Sequence, residues 1–207
     1  MSTTTATTRP STTPADLLRQ SRTGLLLLLA ATVVLGLLYP LAVLGAGRLV
    51  PDRADGQVLS VVGVPVGSAL IGQTFDGAQW FASRPSAAGD GYDPLASGAS
   101  NLGPNAPDLA TLVEERRAAV AAADGTAPAD VAPDALTASG SGLDPDISPE
   151  YAAQQVARVA AARGLDEQVV TGLVAAHTRG RALGFLGEPH VDVLELNIAL
   201  QEAAPQG

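Results

Sequence analysis

Cysteine and lysine are both absent from this 207-residue chain, and aromatic side chains make up only 3% of it. Without cysteine there is no disulfide, no thiolate metal ligand and no nucleophilic thiol, and the cysteine that follows a lipoprotein signal is missing too. Without lysine there is no phosphate-binding P-loop, which needs Lys directly after its glycines, and no Schiff-base chemistry. Scarce aromatics leave the core to Val, Leu and Ala, with Trp80, Phe75, Phe81 and Phe185 as its expected large anchors. His177 and His190 are the only histidines, and no His, Asp or Glu spacing matches a zinc or calcium loop. Both read as hydrogen-bonded boundary residues rather than ligands.

Charge is missing from one stretch altogether. Residues 24–47 carry none, and at 1.5 Å rise per residue they form a helix of about 36 Å, enough for the ~30 Å hydrocarbon core of a bilayer. The competing reading is a signal peptide cleaved after Gly45 or Ala46, but such peptides have apolar runs of only about 7–15 residues. The length favours a retained anchor, with Pro40 expected to kink it. Arg9, Arg19 and Arg22 precede the run, opposed only by Asp16, whereas Arg48 and Arg53 after it are offset by Asp52 and Asp55. That bias puts the N-terminus in the cytoplasm and residues 48–207 outside. The outer part holds nine arginines against twenty acids, a net of −11, which repels nucleic acid and phosphate and attracts cations.

The expected organisation is a disordered cytoplasmic tail (1–22, rich in Ser, Thr and Pro), a membrane helix (23–47) and one soluble domain (48–207). The fold class is a single N-terminal transmembrane α-helix followed by a small extracytoplasmic α+β domain at the cell membrane. Two short strands about a turn at Gly63 fit 57–73, with Pro65 at an edge or a strand start, and 79–82 reads as a third strand. Residues 83–107 form a long loop of Gly, Ser, Pro, Asn and Asp. Helices then start at Pro107, at Ser148 with Pro149 behind it, and after the cap Asp166; a strand over 191–193 runs into a terminal helix. The segment TASGSGLD at 137–144 admits two readings: an anion cradle of backbone amides, or a turn in which Gly140 and Gly142 supply positive φ. The acids lie along loops and helix ends rather than in catalytic pairs, so the residues indicate no enzyme and function resides with a partner.

Several segments carry a family resemblance: GSALIGQ at 67–73, Phe75, Phe81, RPS at 84–86, ASGASNL at 96–102, TASGSGLDPDIS at 137–148, Gln155, RVAAAR at 158–163 and VLELNIAL at 193–200. In this order they resemble the C subunit of the bacterial Kdp potassium-transporting P-type ATPase, over almost the whole chain after Thr23. The chain departs from that pattern at Ala106, where the family has Asn before the helix proline, and at Asp192, again in place of Asn. The resemblance implies a non-catalytic subunit of an ATP-driven potassium uptake complex. Its partners there are a channel-like potassium-translocating subunit, the P-type ATPase subunit and a very small membrane subunit, besides membrane lipid. It also implies a role in assembly and as a catalytic chaperone that raises the ATP affinity of the ATPase subunit. No tightly bound cofactor is implied; ATP would be met through the complex, at Gln155 with Ser139 and Ser141 before it. Two mechanisms follow: an external cap on the channel-like subunit with its acidic surface near the potassium entrance, or a regulator that touches ATP directly.

Overall fold

The computed structural model describes residues 13–203, in two compact units divided between Ala54 and Asp55. Residues 1–12, most of the expected tail, lie outside the described residues. In the first unit α1 (Pro14–Val33) continues through a π-helical turn (Val34–Leu38) into α2 (Tyr39–Gly47), and a single turn, α3 (Pro51–Ala54), follows. Residues 14–22, assigned to the tail on composition, are therefore helical. A capping box explains it: the Thr13 hydroxyl accepts from the Asp16 amide, the Asp16 carboxylate accepts from the Thr13 amide, and Pro14 sits in the first turn where no donor is needed.

Pro14–Gly47 is one 34-residue helix, long and apolar enough to cross a membrane. The expected proline kink takes the form of the π turn. Pro40 has no N–H for the preceding turn and its ring crowds the carbonyl of Gly36; just ahead of it the Tyr39 amide reaches five residues back to the Val34 carbonyl. The aliphatic side chains along this helix are exposed on every side. A helix apolar all round belongs in a bilayer or against other helices.

The second unit opens with an antiparallel hairpin, β1 (Val58–Val61) and β2 (Val64–Ser68), turning at Val62 and Gly63, with Pro65 opposite Ser60 in a ribbon that consists only of edges. Its body packs α4 (Pro107–Asp124), α5 (Pro149–Arg163), α6 (Glu167–His177) and α7 (Val193–Ala203) around a three-stranded antiparallel sheet. The strands, β3 (Asp146–Ile147), β4 (Thr178–Arg179) and β5 (His190–Asp192), lie in the order β3-β5-β4. Punctuation read from the sequence holds: Ser148 caps α5 through the Tyr151 amide, Gly164 ends it at φ 66°, and Asp166 caps α6 through the Gln168 amide. The core joins Tyr151, Val156 and Val159 of α5 to Val170 of α6, Ile147 of β3, Val191 of β5 and Leu196 and Leu200 of α7, with Phe81 from the loop before α4. Phe185, expected among the core anchors, is instead 69% exposed. His177, on the inner stripe of α6, ends that helix with Nδ1 2.8 Å from the Leu173 carbonyl.

α4 is peripheral, burying only Ala121 among its residues. Its N-cap Ala106 offers no side-chain hydrogen bond, and Asn105 does not substitute for one. A missing cap of this kind costs about 1 kcal/mol. Ala106→Asn is accordingly expected to stabilise the protein by about 1 kcal/mol, read as a higher denaturant midpoint for the full chain in detergent.

Candidate functional site

The segment 79–82, expected as a third strand, is not one: Gln79 lies in a turn, Trp80 in a bend, and Phe81 and Ala82 follow without pairing to any strand. Side chains replace the ladder. The Phe81 amide donates to Asn197 Oδ1 and Asn197 Nδ2 donates back to the Phe81 carbonyl, both at 2.9 Å. The Ala82 amide donates to Gln155 Oε1 at 2.7 Å, and Gln155 Nε2 donates to the Ala82 carbonyl at 3.2 Å. Arg158 Nη1 serves the carbonyls of Ala78 and Trp80, and Arg163 Nε that of Gln79. Every carbonyl from Ala78 to Ala82 thus meets a side-chain donor from α5 or α7.

The donors are themselves held. Arg158 Nη2 donates to Gln155 Oε1 at 2.6 Å and its Nε to Asp124 at 2.6 Å; Gln154 Nε2 donates to the other Asp124 oxygen. Asp124 ends α4, where a carboxylate opposes the helix dipole, and the Arg158 charge offsets that. Arg163 stacks its guanidinium 4.1 Å from the Trp80 ring centroid; its terminal nitrogens find no hydrogen-bond partner, and burial lowers its pKa. Gln155 and Asn197 are 0% and 1% exposed. Truncating Asn197 would leave both polar groups of the buried Phe81 unpaired, on the order of 2–4 kcal/mol, and truncating Gln155 would do the same at half-buried Ala82 for less.

Behind this clamp the segments of the resemblance converge. The Gly72 amide donates to the Leu143 carbonyl, the Gly98 amide and the Ser97 hydroxyl to the Ser141 carbonyl, and the Ser86 hydroxyl to the Gly142 carbonyl at 2.6 Å. The Ser86 hydroxyl in turn accepts from the Ala88 and Tyr92 amides, and the Tyr92 hydroxyl donates to the Arg84 carbonyl. Arg84 Nη1 closes the cluster on Asp144 at 2.9 Å. Cross-bracing, not secondary structure, orders the long loop. It requires close backbone approach: at Gly142, with φ 67°, a Cβ would stand 2.7 Å from both the Ala88 nitrogen and the Gly98 oxygen. Gly140, also expected at positive φ, is not there and has open space about it.

The three residues tied by resemblance to ATP fall into two environments. Ser139 and Ser141 lie in the turn before β3, where their hydroxyls accept from the Gly142 and Leu143 amides. Gln155 is wholly buried, its carboxamide paired with the chain's own backbone. Arg158, Asn197 and the Arg84–Asp144 pair were missed as site residues. Their signal lay in the quoted motifs, but which backbone they serve is set by contacts across 60 to 116 residues.

Beside the loop cluster a shallow pocket of about 320 Å³ is lined by Arg84, Asp134, Asp144, Asp146, Glu188 and His190, among others. Asp134 is committed, accepting from the Ser148 amide and hydroxyl. Burial pushes the Asp146 carboxyl up, against the pull of His190, whose Nε2 is 3.9 Å away. Opposite Asp146 in the sheet stands Asp192, 1% exposed. Its Oδ1 accepts from the Glu195 amide at 2.8 Å and so starts α7, while Oδ2 is buried without a partner. Burial pushes its pKa up to about 6 despite that bond.

Comparison with known proteins agrees with these segments. Residues 21–202 match the family model described as KdpC: K+-transporting ATPase, c chain. A potassium-transporting ATPase KdpC subunit from Kineococcus radiotolerans is 77% identical over 190 residues, covering 92% of this chain and 97% of the relative. KdpC subunits from Nitratidesulfovibrio vulgaris and Koribacter versatilis are 52% and 47% identical, covering 91% and 88% of this chain and 95% and 94% of their own lengths.

Two glycines in one turn have opposite expectations. Gly142→Ala meets backbone in a left-handed conformation and should destabilise by about 2–4 kcal/mol, whereas Gly140→Ala should be neutral or stabilise by up to about 1 kcal/mol; chemical denaturation of the full chain in detergent reads both.

For Asp192 the folded-state pKa of about 6 lies above the carboxylate's ordinary 3.8, so the folded protein binds the extra proton and stability falls as pH rises through that interval. Asp192→Asn should therefore stabilise the chain at pH 7.5 by about 3 kcal/mol, with the gain shrinking towards zero near pH 4, as denaturation across that range will show.

Proposed function

The chain belongs to the KdpC family, the c chain of the K+-transporting ATPase, and we propose that it acts there as an external cap on the channel-like subunit, without a catalytic centre of its own. It is an accessory subunit of a potassium uptake complex, and other Kdp subunits are its partners. The observation that carries the cap reading is the use to which the family's segments are put. Gln155, Arg158 and Asn197 hold the domain's own backbone, and the loops of 67–73, 84–86, 96–102 and 137–144 brace one another into a rigid face. Such a face is suited to docking, since little freedom is lost when it binds.

Charge supports the same reading. With −11 over residues 48–207, the domain attracts cations and repels triphosphate. The cations ahead of the apolar helix favour a cytoplasmic N-terminus and an outer domain. Potassium would then be concentrated near the channel entrance by this acidic surface. Any effect on the ATP affinity of the ATPase subunit would run through the membrane helix, which can bias that subunit's conformations from its own side of the bilayer. Direct contact of ATP with the wholly buried Gln155 would require its pairing with Ala82 to open, leaving a half-buried amide and carbonyl without that partner.

Reporter fusions at the C-terminus test the placement. A reporter active only outside the membrane should be active there, and one active only in the cytoplasm should be silent; the reverse pattern removes the cap reading and restores direct nucleotide contact.

A further inference from the structure

The connection from β4 to β5 reads GRALGFLGEP over 180–189, and its middle six residues carry no charge. Its shape comes from backbone pairing rather than burial. Ala182 and Leu186 exchange both amide-to-carbonyl hydrogen bonds at 2.9 Å, and Arg181 pairs with Glu188 across the base. Leu183 and Gly184 stand at φ 53° and 82°. That left-handed pair suits Asn-Gly or Gly-Gly, and a leucine at the first position is strained. The tip nevertheless shows Leu183 82% exposed, Phe185 69% and Leu186 51%. In a chain with three phenylalanines, one stands outside the core on a turn that a smaller polar residue would form more easily.

We infer that the 182–187 turn is a preformed apolar tip that inserts into an apolar pocket of another subunit of the complex. Strain kept at an exposed position points to a contact made elsewhere. An aromatic anchor on a fixed turn is the kind of element that dominates an interface, because it buries large area and loses little freedom on binding. The occupant is protein rather than lipid. Interfacial insertion into a bilayer pairs apolar side chains with free cations, whereas this tip has none beside it: its single Arg181 is paired with Glu188, and the net charge of residues 48–207 repels an anionic surface. A second copy of the chain fits poorly as well. Seating the tip in the groove between the hairpin and α7, lined by Val66, Trp80 and Ile198, would be a head-to-tail contact with no closure built in.

The inference rests on the reading that the chain is a docked subunit, and the test separates the two. In membranes containing the assembled complex, Phe185→p-benzoylphenylalanine is irradiated, with Ala153→p-benzoylphenylalanine, at an exposed position of α5, as the control. A product joining this chain to one other subunit from position 185, and none from 153, is expected. Adding Leu183→Asn, which suits the turn, should cut that yield at least roughly fivefold, the equivalent of one interface contact. The unfolding temperature of the full chain should stay unchanged or rise. Adducts only to lipid, a product of two copies of this chain, an absent product, or an unfolding temperature lowered by Leu183→Asn each overturn the assignment of the tip. Copurification of the unaltered chain with the other subunits is read in the same preparation; its failure removes the docked-subunit reading itself.

Discussion

Five consecutive residues whose backbone is bonded by side chains hold this domain together. From Ala78 to Ala82 the chain leaves a turn and dips towards the core, Phe81 alone being fully buried, and no neighbouring strand serves the peptide groups it partly withdraws from solvent. Asn197 and Gln155 stand in as carboxamide stubs of two absent strands, each matching one residue's N–H and C=O. Arg158 and Arg163 take the remaining carbonyls. α5 and α7 are thereby joined through a segment that belongs to neither, and Phe81 is fixed in the core between them. Asp124 extends the network to α4, which buries too little apolar surface to be held by packing alone.

This arrangement changes what the family's segments mean. Polar residues such as Gln155 and the serines of 137–144 invite a ligand when read as text, since backbone amides and carboxamides are what phosphates and bases engage. In three dimensions Gln155 is buried on the chain's own backbone and the serine hydroxyls accept from amides of their own turn, while Gly142 permits backbone to pass backbone. A domain with few large side chains and no disulfide gains rigidity in this way, through many short hydrogen bonds over braced loops instead of a deep core. The opposite economy appears at two exposed turns, where Val62 and Leu183 take left-handed conformations that aliphatic residues disfavour.

Asp192 lies at the junction of these tendencies. Its first oxygen starts α7, the helix that carries Asn197, while its second is buried without a partner opposite Asp146. The chain keeps an ionisable group where a neutral amide has the same shape, and the sheet tolerates it because the cap gained at one oxygen partly offsets the burial of the other.

Local rules made much of this legible. A run of uncharged residues long enough to span a bilayer, Ser148 with Pro149, Gly164, Asp166 and the break at Gly63 all act within a few residues of themselves, and each did what its chemistry implies. The missing cap at Ala106 was equally readable. Two expectations failed where distant residues decide. The 79–82 segment has the composition of a strand, but whether it pairs with a strand or with side chains depends on what stands 73 to 116 residues away. Phe185 has the chemistry of a core residue, but the turn that displays it is fixed by a pairing that hydrophobicity does not encode. The tail reading failed for a local reason instead: residues 14–22, with Leu17 and Leu18 among them, stand behind the capping box of Thr13 and Asp16 and are helical. The sequence by itself determined the long apolar stretch, the helices and the family; only the tertiary structure decided which polar groups face inward, because a hydrogen bond across a hundred residues leaves no periodicity along the chain.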